Sequence, residues 1–321
     1  MNASSHVPRD PLFIMALPCS FSSVIGTMLG QHPQLYGLPE THLFGCNTVA
    51  EWWDASSKES FNMSHGLLRA VAQMYFDEQS DIAIAQARAW LRRRSDFTTG
   101  FLLETLAERI SPRILVEKSP SIVYSRTSMD RAHSMFPVGR FIHLVQHPRS
   151  YCESVLSAIR EASALGSVPA WMLDLASYPG TSEGSDVARR EEDADPQRAW
   201  LVLNANICTF LESVPDCQKI RVRGEDVLRD PAKALRYIAD WMKIRSDDDA
   251  IEEMKHPERS PYAVLGPPSA LYGNDHRFLA HPSLTPNSIG LQTLDGALNR
   301  KRGGVVCSSE VKHLARQFGY T

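Results

Sequence analysis

Three short stretches of the chain carry side chains suited to moving a charged group. In the first, Pro18-Cys19-Ser20-Phe21-Ser22-Ser23, the hydroxyls of Ser20, Ser22 and Ser23 stand just before an apolar-periodic segment with Val24, Ile25, Met28 and Leu29. A helix starting there presents unbonded backbone N–H groups and the positive end of its dipole to the loop, which suits an anion such as phosphate. The second, Pro39-Glu40-Thr41-His42, supplies a carboxylate and an imidazole, side chains that serve as general bases. The third is Lys118 in VEKSP, an ammonium leaving an apolar run, where burial demands an anionic partner. Structural readings compete with each. Glu40 also suits the first turn of a following helix, and His42 suits simple packing. Cys19 near a helix N-terminus suits a lowered thiol pKa and nucleophilic use, although no histidine lies beside it.

The elements that must hold these groups follow from periodicity. Leu12–Leu17, Ile114–Val116, Arg140–Val145 and Lys219–Arg223 are short apolar runs of strand length. Residues 66–76, 81–94, 100–110, 122–135, 151–161 and 197–214 carry helical spacing, with Thr98 and Thr99 as caps before 100–110. Asp230-Pro231 opens a further helix, and Glu225-Asp226 suit its capping. Strands alternating with helices across short turns predict an α/β fold, a central parallel sheet flanked by helices. Ligands in such sheets collect at the carboxyl ends of the strands. The turns 18–23, 117–120 and 146–154 would converge there.

Residues 164–196 are dominated by Gly, Ser, Pro, Asp and Glu and predict a mobile loop. The segment 256–321 is rich in Pro, Gly and Asn; Tyr262, Leu265, Tyr272, Phe278 and Leu279 are the anchors expected to hold it as a cover, and residues 309–318 suit a closing helix. His256 stands at its start. No linker composition divides the chain, so residues 1–321 are expected to form a single domain. Arg92-Arg93-Arg94 reads as a solvated helix end, where basic side chains favour the dipole.

Composition removes several classes of function. With 43% hydrophobic and 22% charged residues the chain is of ordinary globular make-up, and its net charge of −3 gives no support for nucleic-acid binding. No apolar run reaches membrane-spanning length, and the first residues lack the pattern of a signal peptide. Six scattered cysteines without a CxxC pair indicate neither a zinc site nor a disulfide framework, and suit reduced thiols in the cytoplasm.

The order of motifs resembles the sulfotransferase family that uses 3′-phosphoadenosine-5′-phosphosulfate (PAPS), in its bacterial, stand-alone or polyketide-associated form. The likeness rests on PCSFSS followed by GQHPQLYGLPETHLF, on VEKSP, on FIHLVQHPRSYCES, on VRGEDVLRDPAKALRYIADWM and on HLARQFGY. It implies a P-loop-like sulfotransferase fold with PAPS as donor, no metal, and a small or acyl-carrier-bound hydroxyl acceptor in a biosynthetic, natural-product setting. By the resemblance, Cys19, Ser20, Phe21, Ser22, Ser23 and Val24 form the 5′-phosphosulfate loop. Gln146 opens the 3′-phosphate motif, and Ser154 contacts that phosphate. The resemblance also makes Lys118 the residue that neutralises the transferring group and Glu40 the general base; His42, two residues on, is placed either to orient the substrate or to pack.

Three positions depart from the family pattern. Cys19 stands where the loop has a basic residue, Phe21 where it has Gly, and Gln146 where the 3′ motif has Arg. Charge-assisted contacts to phosphate are about twice as strong as neutral ones. The missing cations therefore point to compensation from His147, Arg149, Arg223 or residues 300–302. The alternative is a relative that keeps the fold but has lost the donor, using Glu40 and His42 for other proton-transfer chemistry or acting as a carrier-protein partner.

Overall fold

The computed structural model describes residues 10–58, 63–164, 195–284, 293–296 and 306–321. Five strands form one sheet: β1 (Leu12–Met15), β2 (Leu35–Gly37), β3 (Ile114–Glu117), β4 (Arg140–Val145) and β5 (Lys219–Arg223). Their order is β2-β3-β1-β4-β5, and every pairing is parallel. Central β1 places Phe13 opposite Glu117 on one side and Phe141 on the other. Its four residues are buried throughout, as a strand covered on both faces must be.

The alternation along β1 divides the core in two. Leu12 and Ile14 pack with Ile25, Met28 and Leu29 of α1 (Ser22–Gly30) and with Leu235, Ile238 and Met242 of α10 (Pro231–Met242). Phe13 and Met15 face the opposite layer, which is built from α2 (Val49–Lys58), α3 (His65–Phe76), α4 (Asp81–Arg92), α5 (Thr99–Ile110), α6 (Arg126–Met135), α7 (Pro148–Ala164) and α8 (Gln197–Glu212). Thr98 caps α5 by accepting from Phe101 N–H. Short α9 (Gly224–Arg229), α11 (Asp248–Met254), α12 (His276–Ala280) and α13 (Ser309–Gln317) complete the described helices.

Several expectations change in detail. Strand β2, three residues long, has too little sequence to show a period, and α2 is likewise absent from the elements expected above. The helix expected over 122–135 is divided into a 3₁₀ turn, Pro120–Val123, and α6, because Ser125 is extended and its side chain caps α6 through Ser128 N–H. Glu225 and Asp226 lie inside α9 and do not cap the next helix, which Asp230 caps instead. Leu265 is no anchor, being 55% exposed, whereas Tyr262 is 2% exposed and its hydroxyl meets that of Tyr36 at 2.8 Å. Most of the loop expected over 164–196, and the basic run 300–302, lie outside the described residues. Among the described residues no helix is long and apolar enough to cross a membrane.

Buried histidines make the fold pH-sensitive. His143 on β4 is fully buried; its Nε2 lies 2.9 Å from Asn204 Oδ1, and Arg221 Nε donates to its Nδ1 at 3.3 Å. Burial holds its pKa down to about 3. The unfolded chain, with an ordinary imidazole pKa of about 6.5, then binds the proton first, so this contribution is present above about pH 6.5 and is lost as pH falls. Between pH 7.5 and 5 the stability advantage of the parent over His143→Gln is expected to shrink by about 2 kcal/mol, at 1.36 kcal/mol per unit below about 6.5. Denaturant melts at the two pH values check this; a pH-independent difference would contradict it.

Candidate active site

The hydroxyl-rich loop leaves β1 and enters α1 at a helix start without a side-chain cap. Phe21 is the N-cap and offers no capping side chain, and no acidic residue occupies the first turn. The first helical bond runs from Ile25 N–H to Phe21 O at 3.0 Å, so the N–H groups of the turn before it are left to the loop. Ser22 and Ser23 are buried, and Ser20 Oγ is buried without a hydrogen-bond partner among the described residues. Phe21 sits at φ −78°, a conformation open to any residue, and its ring packs against Gly224, where a Cβ would collide with it. Glycine at 224 thus accommodates the aromatic ring at 21. Cys19 instead takes the left-handed conformation, φ 58°. Burial pushes its thiol up to about 12, with Asp275 reinforcing the shift, so the thiolate required for nucleophilic use is disfavoured.

Lys118 is the centre of the polar cluster. It emerges from β3 beside Gly26, whose missing side chain leaves room for the lysine stem. Only 1% of it is exposed, and its Nζ donates to Glu40 Oε1 at 3.2 Å and to Ser23 Oγ at 3.5 Å. Ser23 donates in turn to Glu40 Oε1 at 3.3 Å and accepts from Asp275 N–H at 3.2 Å. His42 Nε2 lies 3.8 Å from Glu40 Oε2. Burial lowers the His42 pKa, Glu40 opposing and Lys118 adding to the effect, so the imidazole is neutral near pH 7.

Behind this cluster, one hydroxyl fixes the bend that carries Glu40 and His42. Ser119 Oγ accepts from Thr41 N–H at 2.7 Å and from His42 N–H at 2.9 Å, and donates to Glu117 Oε1. Glu117 also accepts from Thr41 Oγ1 at 3.0 Å and from Ser119 N–H at 3.0 Å. His42 needs this support because it is left-handed, φ 55°. Burial raises the Glu117 carboxyl above its usual range.

A second polar group lies at the ends of β4 and β5. Gln146 is buried, with Oε1 lacking a partner and its carbonyl accepting from Trp200 Nε1 at 2.9 Å. His147 is buried with Nε2 unpartnered, while its N–H donates to Glu225 Oε1 at 2.7 Å. Tyr320 closes this corner, its hydroxyl donating to Glu225 Oε2 at 2.8 Å and its ring 5.1 Å from that of His147. Arg149 donates to Thr293 O at 3.0 Å. Arg223 is held by Asp226 Oδ2 at 2.6 Å and Gly319 O at 2.7 Å.

The structure therefore joins Ser23, Glu40, His42 and Lys118 in one cluster and sets Gln146, Arg149 and Arg223 in other bonding groups. Ser154 accepts through its carbonyl from Arg277 Nη1 at 3.3 Å. Val24 packs against Phe278, Leu279 and Ala263. His256 bonds Glu258 Oε1 at 2.8 Å at the surface. Sequence reasoning assigned no role to Thr41, Glu117, Ser119, Asp275 or Arg277. The first three lie inside the PETH and VEKSP motifs; nothing in the sequence signals the last two. Ser119→Ala strands two backbone N–H groups and part of the Glu117 carboxylate, at about 1–3 kcal/mol for a buried unsatisfied group. Urea melts are expected to show that loss, and parental stability would contradict the assigned role.

Among families of known proteins, the one described as the sulfotransferase family has a model that matches residues 11–249, from β1 into α11. No curated protein matches the chain. Among solved structures, the sulfotransferase domain from the curacin biosynthetic pathway aligns with a TM-score of 0.72 and 22% identity, covering 99% of this chain and 99% of that one. The sulfotransferase domain from the Synechococcus PCC 7002 olefin synthase aligns with a TM-score of 0.69 and 21% identity, covering 100% and 98%. At such identities these structures establish the shared fold. Together with the match across residues 11–249, they lead to one conclusion: the chain belongs to the sulfotransferase family.

Proposed function

We propose that this protein transfers a sulfuryl group from PAPS to a hydroxyl of a small or carrier-bound biosynthetic substrate. The observation that carries the proposal is the Lys118–Glu40–Ser23 triangle, set against the uncapped start of α1. It combines a cation, a carboxylate and an anion-binding helix end within hydrogen-bond distance of one another. The residues also fit the donor. Ser20 Oγ, Gln146 Oε1 and His147 Nε2, in the turns that follow β1 and β4, are buried without partners among the described residues. Buried polar atoms are nearly always satisfied, so atoms of this kind call for a ligand or water.

When bound, PAPS supplies an activated sulfuryl group and a good leaving phosphate. Ser20, Ser22, Ser23 and the adjoining backbone N–H groups would hold its 5′ end, and Gln146, Arg149 and Ser154 its 3′ end. Two of the three Nζ–H donors of Lys118 are used by Glu40 and Ser23, leaving one for charge that develops during transfer. Glu40 accepts the proton of the acceptor hydroxyl, and neutral His42 beside it orients that hydroxyl. A solved structure of the same fold takes its name from a biosynthetic pathway, which supports a biosynthetic acceptor here. We place the protein in the cytoplasm, where six scattered cysteines without a CxxC pair suit a reducing compartment.

Calorimetry with the product nucleotide, 3′-phosphoadenosine-5′-phosphate, tests the proposal. Saturable binding to the parent is expected. Glu40→Gln is expected to keep nucleotide binding while losing about 10²–10⁴ in sulfation rate, the usual worth of a general base. No binding by the parent at millimolar nucleotide, with binding gained by Cys19→Arg/Gln146→Arg, would overturn donor use and favour a relative that has abandoned PAPS.

A further inference from the structure

The loop position where the family places a basic residue is Cys19, a half-buried thiol whose raised pKa keeps it uncharged. Besides Lys118, a second cation reaches this region from the C-terminal part of the chain. Helix α12 is docked on the start of α1: Asp275 N–H donates to Ser23 Oγ at 3.2 Å, and Phe278 and Leu279 pack with Val24. Between these contacts lies Arg277. Its guanidinium is held by α7, with Nε donating to Glu161 Oε2 at 3.0 Å and Nη1 to Ser154 O at 3.3 Å. The remaining nitrogen, Nη2, is buried and has no partner among the described residues. Among the charges acting on Cys19, those of Asp275, Glu40 and Glu161 are negative and that of Arg277 is positive.

We propose that Arg277 supplies to the phosphosulfate loop the positive charge that Cys19 does not, so that the C-terminal segment completes the donor site. The proposal rests on the use of PAPS argued above. A guanidinium is well suited to this role. It stays charged when partly buried, and a fork anchored by two bonds presents its remaining donors in a fixed direction. Glu161, which also lies 3.3 Å from His276 Nε2, pairs with Arg277 through Nε, and the Nη2 donor stays unused among the described residues. The arrangement also explains why a loop without its own cation can persist: the charge has moved to a helix pinned on the same loop. Arg277 is thus a binding residue for the 5′ end of the nucleotide. Its place differs from those of Arg149, which bonds Thr293, and Arg223, which bonds Asp226 and Gly319.

Calorimetry with two nucleotides separates this role from simple support of the fold. One is 3′-phosphoadenosine-5′-phosphate; the other is adenosine 3′-phosphate, which lacks the 5′ group. Arg277→Gln is expected to weaken the first by about tenfold or more, as loss of a charge-assisted contact should, and to leave the second within about twofold. Arg277→Lys should lose less, and adding Cys19→Arg to Arg277→Gln should restore binding of the bisphosphate. Unchanged affinity in Arg277→Gln, equal loss of both nucleotides, or no recovery with Cys19→Arg would overturn the proposal while leaving PAPS use intact. A parent that binds neither nucleotide would overturn both.

Discussion

The architecture of the site follows from one constraint, the burial of the Lys118 ammonium. A charge that is 1% exposed at the end of a central strand must be met by an anion and hydrogen bonds, or the fold bears its full desolvation cost. Glu40 meets it at 3.2 Å and Ser23 at 3.5 Å. That requirement draws together three segments far apart in sequence: the start of α1, the bend after β2 and the end of β3. Gly26 leaves room for the lysine stem, and Ser119 and Glu117 hold the bend. The pairing also sets the chemistry, because the candidate proton acceptor and the candidate charge stabiliser begin as partners.

The C-terminal region is bound to this centre by polar contacts as specific as those of the sheet. Arg69 on α3 is fully buried, with its guanidinium donating to Tyr272 O at 2.9 Å, Val264 O at 2.9 Å and Gln79 Oε1 at 2.6 Å. Burial lowers its pKa to about 10, which still leaves it charged. Glu40 N–H itself donates to Gly273 O at 2.6 Å. The segment around 261–275 is therefore part of the wall that positions Glu40, and α12 follows directly from it.

Much of this is legible in the sequence, and the rest is hidden for physical reasons. The loop and α1 can be read because hydroxyls next to a 3.6-residue apolar period have few other uses. Lys118 can be read because a cation ending an apolar strand demands a partner. Strand β2 cannot, since three residues carry no period. Ser119 passes as an ordinary small residue because its N–H partners lie 77 and 78 positions away. Arg277 is close to Asp275, which meets Ser23 across 252 positions, a separation at which local patterns carry no information. Phe21 looks like an obstacle to the loop until Gly224 is seen beneath its ring. Leu265 and Glu225 show the reverse: apolarity at 265 does not imply burial, and an acid before a helix serves His147 and Tyr320.

The most direct measurement is a crystal structure of the protein with 3′-phosphoadenosine-5′-phosphate. The account predicts the 5′-phosphate against the backbone N–H groups of residues 20–24, with Lys118 Nζ and the guanidinium of Arg277 within hydrogen-bond distance of its oxygens. Glu40 should face the open side of that phosphate, where an acceptor hydroxyl would sit. A nucleotide bound away from the start of α1, or a phosphate bound there with the Lys118–Glu40 pair remote from it, would contradict the account.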